Sequence, residues 1–169
     1  MHHGTMLHLV DARVAAEWLD YNGHMNDAAY AIVFSRSVDA LMDRIGIDAA
    51  TRKAERRTLF TAQTMLHYFS EAGEGESLTI SCHLLEHDDK RLRVWLDMTG
   101  GPQGQRLAAS EQLLLSIDQS GSGARVAPWL PQTRAALDAL ARPKAVSRPP
   151  RKPGWGSRLS GDDFPTFCS

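Results

Sequence analysis

Cysteine is nearly absent: there are two in 169 residues, Cys82 inside an alternating apolar run and Cys168 one residue from the end of the sequence. That scarcity argues against a disulfide framework or a cysteine metal cage and fits a reducing, cytoplasmic setting. An excess of either charge is also lacking, since 19 Lys and Arg stand against 20 Asp and Glu, a formal net charge of −1. Without a basic field the chain has no general attraction to nucleic acid or to an anionic membrane, so an anionic ligand must be held locally. No run approaches the ~20 apolar residues needed to cross a bilayer. The opening Met1-His2-His3-Gly4-Thr5-Met6 lacks the positive and apolar regions of a secretory signal, so no export is expected. Missing too are Gly-x-Ser-x-Gly, a phosphate-cradling glycine loop and His-Glu-x-x-His.

What is present suits one core. A hydrophobic share of 43% in 169 residues argues for a single domain. Between Ala28 and Ile45, Tyr30, Val33, Phe34, Val38, Leu41, Met42 and Ile45 recur at intervals of three and four, which predicts a helix with one buried face. Asn26 or Asp27 can cap its start, and Gly46 can end it in a left-handed turn. A charged connector is expected from Asp48 to Arg57. The period then changes to two, predicting strands over 59–69, 77–86, 91–98 and 106–118, with a shorter one at Leu7 to Val10. Ala109, Glu111, Leu113, Leu115 and Ile117 share one face of the last long strand, and Glu111 is the charge among them. A short helix is expected from Pro131 to Leu140. Five of the eight prolines follow Arg142, so residues 1–142 are read as the domain and 143–169 as a mobile basic tail. One strand, one long helix and a run of antiparallel strands make an α+β order, in which a single helix can cover a strongly curved sheet.

Chemistry concentrates in Asp20-Tyr21-Asn22-Gly23-His24-Met25-Asn26-Asp27, a polar stretch leading directly into the predicted helix. A helix start offers free backbone N–H groups and the positive end of a dipole, which can polarise a carbonyl and stabilise an oxyanion. Asp20 beside it can attack as a nucleophile or activate water as a base, and Gly23 would let the main chain approach a substrate closely. The plainer interpretation is a helix cap, an ordinary Asn22-Gly23 turn and an exposed His24.

The segment from Asp20 to Asn26, followed by Tyr30, resembles the Asp-x-x-Gly-His-x-Asn motif that opens the central helix in hotdog-fold acyl-CoA thioesterases of the 4-hydroxybenzoyl-CoA thioesterase-like group. More narrowly, Trp18 to Asp27, Asp39 to Gly46 and Leu85 to Leu92 are together similar to the betainyl-CoA thioesterases of carnitine breakdown. The resemblance covers roughly residues 5–140. It implies a hotdog domain, a curved antiparallel sheet wrapped around one long helix, that hydrolyses a small acyl-CoA without metal or other cofactor. It implies Asp20 as catalytic carboxylate, helix-start amides around Asp27 as the groups that polarise the carbonyl, and Asn22, His24 and Asn26 as residues positioning water and substrate. It further implies a homodimer or dimer of dimers, each site combining the helix start of one subunit with strand residues of the other.

A betainyl group carries a fixed trimethylammonium charge, which aromatic faces attract through their quadrupole. Candidate faces are Trp18, Tyr21, Tyr30, Tyr68, Phe69 and Trp95, with Glu111 as a possible counter-charge and Arg91 and Arg93 as candidates for the CoA phosphates. Two other functions use the same fold: a hydratase or dehydratase, which needs an acid/base pair at the acyl Cα–Cβ bond, and a non-catalytic acyl-CoA-binding module.

Overall fold

Helix α1 runs from Asp27 to Arg44, and both ends follow from local chemistry. Asn26 is the cap: its side chain accepts from the Ala29 N–H at 3.1 Å. At the other end Gly46 takes φ +79°, and the Ile47 N–H returns to the Met42 carbonyl. The face of α1 carrying Ala29, Tyr30, Val33, Phe34, Val38, Leu41 and Met42 is buried. Phe34 and Leu41 are fully enclosed. Burial of each such side chain contributes about 1.5–3 kcal/mol relative to exposure.

The computed structural model describes residues 6–140, so the proline-rich tail at 143–169, the domain limit at 142 and Cys168 lie outside the described residues. The sheet is built from β1 (Leu7–Arg13), β2 (Arg57–Tyr68), β3 (Ser77–His87), β4 (Arg91–Gly100) and β5 (Gln105–Asp118) in the order β1-β3-β4-β5-β2, all neighbours antiparallel. A two-residue β6 (Arg125–Val126) pairs with the end of β5. Leu78, Ile80 and Cys82 of β3 and Leu92, Val94, Leu96 and Met98 of β4 are at most 1% exposed and join the α1 residues in one core. Burial pushes the Cys82 thiol up to about 12, so it stays a neutral, packed group. The result is a curled antiparallel half-barrel around one long helix, the hotdog fold.

Two stretches differ from expectation. The charged connector contains helix α2 (Ala49–Glu55), capped by the Asp48 side chain on the Thr51 N–H and followed by Arg56 at φ +51°. None of its residues is buried, so it has no apolar stripe for periodicity to detect. On β5 the face shared by Ala109, Glu111, Leu113, Leu115 and Ile117 points away from α1. The inward face carries Ala108, Ser110, Gln112, Leu114 and Ser116, where Gln112 donates to the Ser110 hydroxyl at 3.1 Å. Helix α3 (Pro131–Leu140) closes the described chain, burying Leu137 in the same core.

Candidate active site at the start of helix α1

The polar stretch folds into a tight loop because its own groups hold it. The Gly23 N–H donates to the Asp20 carbonyl at 3.0 Å, and the Asp20 N–H donates to the His24 carbonyl at 2.8 Å. Gly23 adopts φ +77°, a conformation that suits glycine, whereas a Cβ there would meet nothing within 4 Å. Its glycine answers to the turn rather than to close approach by a neighbour. The Asp20 carboxylate belongs to the same knot: Oδ1 accepts from the Asn22 N–H at 2.8 Å and the His24 N–H at 3.4 Å. One carboxylate oxygen is thereby oriented by main chain.

The loop is docked on both sides. Asn26 donates its N–H to the Trp18 carbonyl, and Leu19 pairs with Met25. Met25 donates to the Ala72 carbonyl at 2.8 Å, His24 pairs with Gly73, and His24 Nδ1 lies 3.3 Å from the Glu71 carboxylate. Segment 70–73 is thus the second wall of the site. Asn26 occupies the Ala29 N–H, which leaves the Asp27 and Ala28 amides as helix-start donors without intrahelical acceptors.

Beside this start opens a cleft of about 290 Å³ lined by Met25, Asp27, Tyr30, Tyr68, Phe69, Ser70 and Glu71. Tyr30 and Tyr68 meet edge to face, centroids 5.3 Å apart. The Tyr68 hydroxyl donates to the Asp27 carbonyl at 3.1 Å and the Tyr30 hydroxyl to the Ser70 carbonyl at 3.4 Å. Burial pushes both phenols upward, so both remain neutral.

Of the residues expected at the site, Asp20, Gly23, His24, Asn26, Asp27, Tyr30, Tyr68 and Phe69 are brought together here. Asn22 contributes its backbone N–H to the loop, and its residue is exposed. Tyr21 points to solvent at 97% exposure, and the Trp18 ring carries the Arg36 guanidinium 5.5 Å from its centroid.

The other four are elsewhere in this chain. Trp95 and Glu111 are direct neighbours across β4 and β5, on the sheet face turned away from α1. Trp95 is 1% exposed, and its Nε1 donates to Asp97. Arg93 bridges Glu86 at 2.8 Å and Glu111 at 3.3 Å, and Arg91 is held by Asp88 at 2.5 Å. Strand alternation explains this placement: residues at odd positions of β4, and Glu111 opposite Trp95 on β5, face outward together, whichever chemistry they carry. Glu71, absent from the expectation, sits in the cleft because β2 brings Tyr68 to the helix start and the chain continues across it. Nothing local in its sequence signals this.

Among the described residues, no group of three or more His, Cys, Asp and Glu has a geometry able to hold a metal ion. The site's resources are a main-chain-oriented carboxylate, free helix-start amides and an aromatic, acid-flanked cleft.

Comparison with known proteins bears on the family and the fold. A betainyl-CoA thioesterase of Pseudomonas aeruginosa is 43% identical over 128 residues, covering 76% of this chain and 79% of that one. A crystal structure from Pseudomonas putida KT2440, proposed to be a thioesterase, is 34% identical with a TM-score of 0.73 and covers 92% of this chain and 98% of that one. A Staphylococcus aureus protein solved in complex with CoA shares the fold, with a TM-score of 0.78 at 22% identity, over 95% of this chain and 99% of that one. The sequence profile of the thioesterase-like superfamily matches residues 14–137, and the chain belongs to that superfamily.

Proposed function

We propose that this acyl-CoA thioesterase acts on betainyl-CoA, with water releasing glycine betaine and coenzyme A. The observation that carries the reading is the Asp20 loop, whose carboxylate is held by two backbone amides and whose far side, through Met25, lines the cleft at the helix start. The 43% identity to a betainyl-CoA thioesterase supports the choice of acyl group.

In the proposed reaction the thioester carbonyl lies against the Asp27 and Ala28 amides. As the carbonyl is attacked, negative charge grows on its oxygen, and those preorganised donors stabilise it; one such donor is typically worth about 10²–10³ in rate. Asp20 either takes the proton of the attacking water or attacks directly to form an acyl anhydride that water then opens. On either route the CoA sulfur leaves as a thiolate, and the chain's own groups suffice without a metal or redox cofactor.

β1 and β2 are the outer strands of the five-strand order, and an unpaired edge invites a second chain. We therefore include a homodimer, or dimer of dimers, in the reading, with strand residues of one subunit completing the cleft of the other. A cytoplasmic setting, where acyl-CoA is made and used, belongs to the same proposal. No described helix is long and apolar enough to cross a membrane.

The test is free-CoA release, followed with a thiol reagent, from betainyl-CoA, acetyl-CoA, a medium-chain acyl-CoA and 4-hydroxybenzoyl-CoA. Preferred turnover of betainyl-CoA is expected. Preferred turnover of another member would overturn the choice of acyl group, and no release from any would overturn hydrolysis itself.

A further inference from the structure

The cleft at the helix start has a one-sided chemistry. Its seven lining residues include three aromatics, Tyr30, Tyr68 and Phe69, and two carboxylates, Asp27 and Glu71, with no Lys or Arg. Of the cleft's own rings Phe69 is already covered, by Arg106 at 4.5 Å, and outside the cleft Arg36 lies over Trp18 and Arg106 over Trp95 at 5.7 Å. Among the described residues no Lys or Arg lies over the Tyr68 ring, although the residue is 49% exposed. It is also fixed in place, by its hydroxyl on the Asp27 carbonyl and by the Tyr30 ring at 88° to it. A rigid aromatic surface flanked by acids attracts a cation that cannot donate hydrogen bonds, because both the ring quadrupole and the carboxylates act on charge alone.

From this we infer that the cleft selects its acyl group by charge, with Tyr68 supplying the ring and Glu71, assisted by Asp27, supplying the counter-charge to a quaternary ammonium. This inference rests on the betainyl-CoA reading and assigns its specificity to named residues. Glu71 is the discriminating group. Its contact with His24 Nδ1 at 3.3 Å ties it to the loop that carries Asp20, so a cation near Glu71 would lie within reach of the reacting end of the site. Its side chain is 75% exposed in the single chain, which limits the size of its effect. One carboxylate is then worth a few-fold in selectivity, because solvent screens an exposed charge.

The experiment compares betainyl-CoA with 3,3-dimethylbutanoyl-CoA, which has the same shape with carbon in place of the charged nitrogen. The readout is the ratio of the two kcat/KM values. General damage to the active site cancels in this ratio, whereas loss of charge recognition does not. Because the α-ammonium itself activates the carbonyl, the ratio is divided by that of the two uncatalysed hydrolysis rates, and on this corrected scale wild-type protein is expected to favour the cation by at least about tenfold, or about 1.4 kcal/mol. Glu71→Gln should lower the ratio about fivefold, Glu71→Gln with Asp27→Asn should lower it further, and Tyr68→Leu should lower it by a few-fold. A wild-type ratio near one, or a high ratio that survives all three variants, would overturn the inference while leaving thioester hydrolysis intact. If neither thioester is hydrolysed, the functional reading fails. Calorimetric binding of the same two compounds then decides the cleft separately, equal affinities overturning charge selection and tighter, Glu71-dependent binding of betainyl-CoA supporting it.

Discussion

The outer face of the sheet and the start of α1 hold similar residue types in different states. On the outer face Trp95 is buried with its indole nitrogen on Asp97, Arg106 is held by the same Asp97 at 2.7 Å, and Arg93 bridges Glu86 and Glu111. At the start of α1, Tyr68 and the Asp27 and Glu71 carboxylates border open space, and the Asp27 and Ala28 amides have no intrahelical acceptor. Aromatics and charges thus serve stability where they satisfy one another and serve binding where they remain available. The difference lies in the open space these groups border, not in which residue types are present.

The sharpest way to break this contrast is Trp95→Ala. It should lower stability by about 3–5 kcal/mol, the usual cost of emptying a large buried aromatic site. The measurement is a denaturant midpoint, together with the betainyl-to-neutral kcat/KM ratio, which should not move. Glu111→Ala comes next, with an expected loss of about 1–3 kcal/mol as Arg93 gives up one of its two partners. A shift in acyl selectivity in either variant would place the outer face in the substrate's path and dissolve the comparison. The smallest effect sharpens it from the other side: Asn26→Ala removes the cap on Ala29 and should cost about 1 kcal/mol in thermal stability. Asn26 is the point where the two roles overlap, being both a helix cap and a neighbour of the reacting groups.

Much of this architecture is legible in the sequence where the signal is local. α1 announces itself through its apolar spacing, through Asn26 at one end and through Gly46 at the other, and each element is found with those caps. The alternation of β3 and β4 likewise identifies the inward residues directly. β5 is harder, because both of its faces are largely buried and the inward one carries Ser110, Gln112 and Ser116. Polar inward residues that satisfy one another blur the pattern that normally distinguishes core from surface. α2 is invisible to periodicity because it has no buried side.

The site follows the same rule. The loop from Asp20 to Asp27 is contiguous, so its residues can be recognised together, and its hydrogen bonds are between neighbours. The counter-charge is not contiguous with it. Glu71 reaches His24 only through the pairing of β2 with β5 and the turn that follows Tyr68. Glu111, the possible counter-charge legible in the sequence, lies within this chain on the opposite face, where strand alternation sets it beside Arg93.

The central claim is that a carboxylate on the Asp20 loop drives thioester hydrolysis at the helix start, and Asp20→Asn tests it most directly. Asparagine retains an Oδ1 acceptor for the Asn22 and His24 amides, so the loop's hydrogen bonds can persist while the base or nucleophile is lost. With fold checked by circular dichroism, free-CoA release from betainyl-CoA should fall by at least about 10². Release within about threefold of wild type would contradict the account.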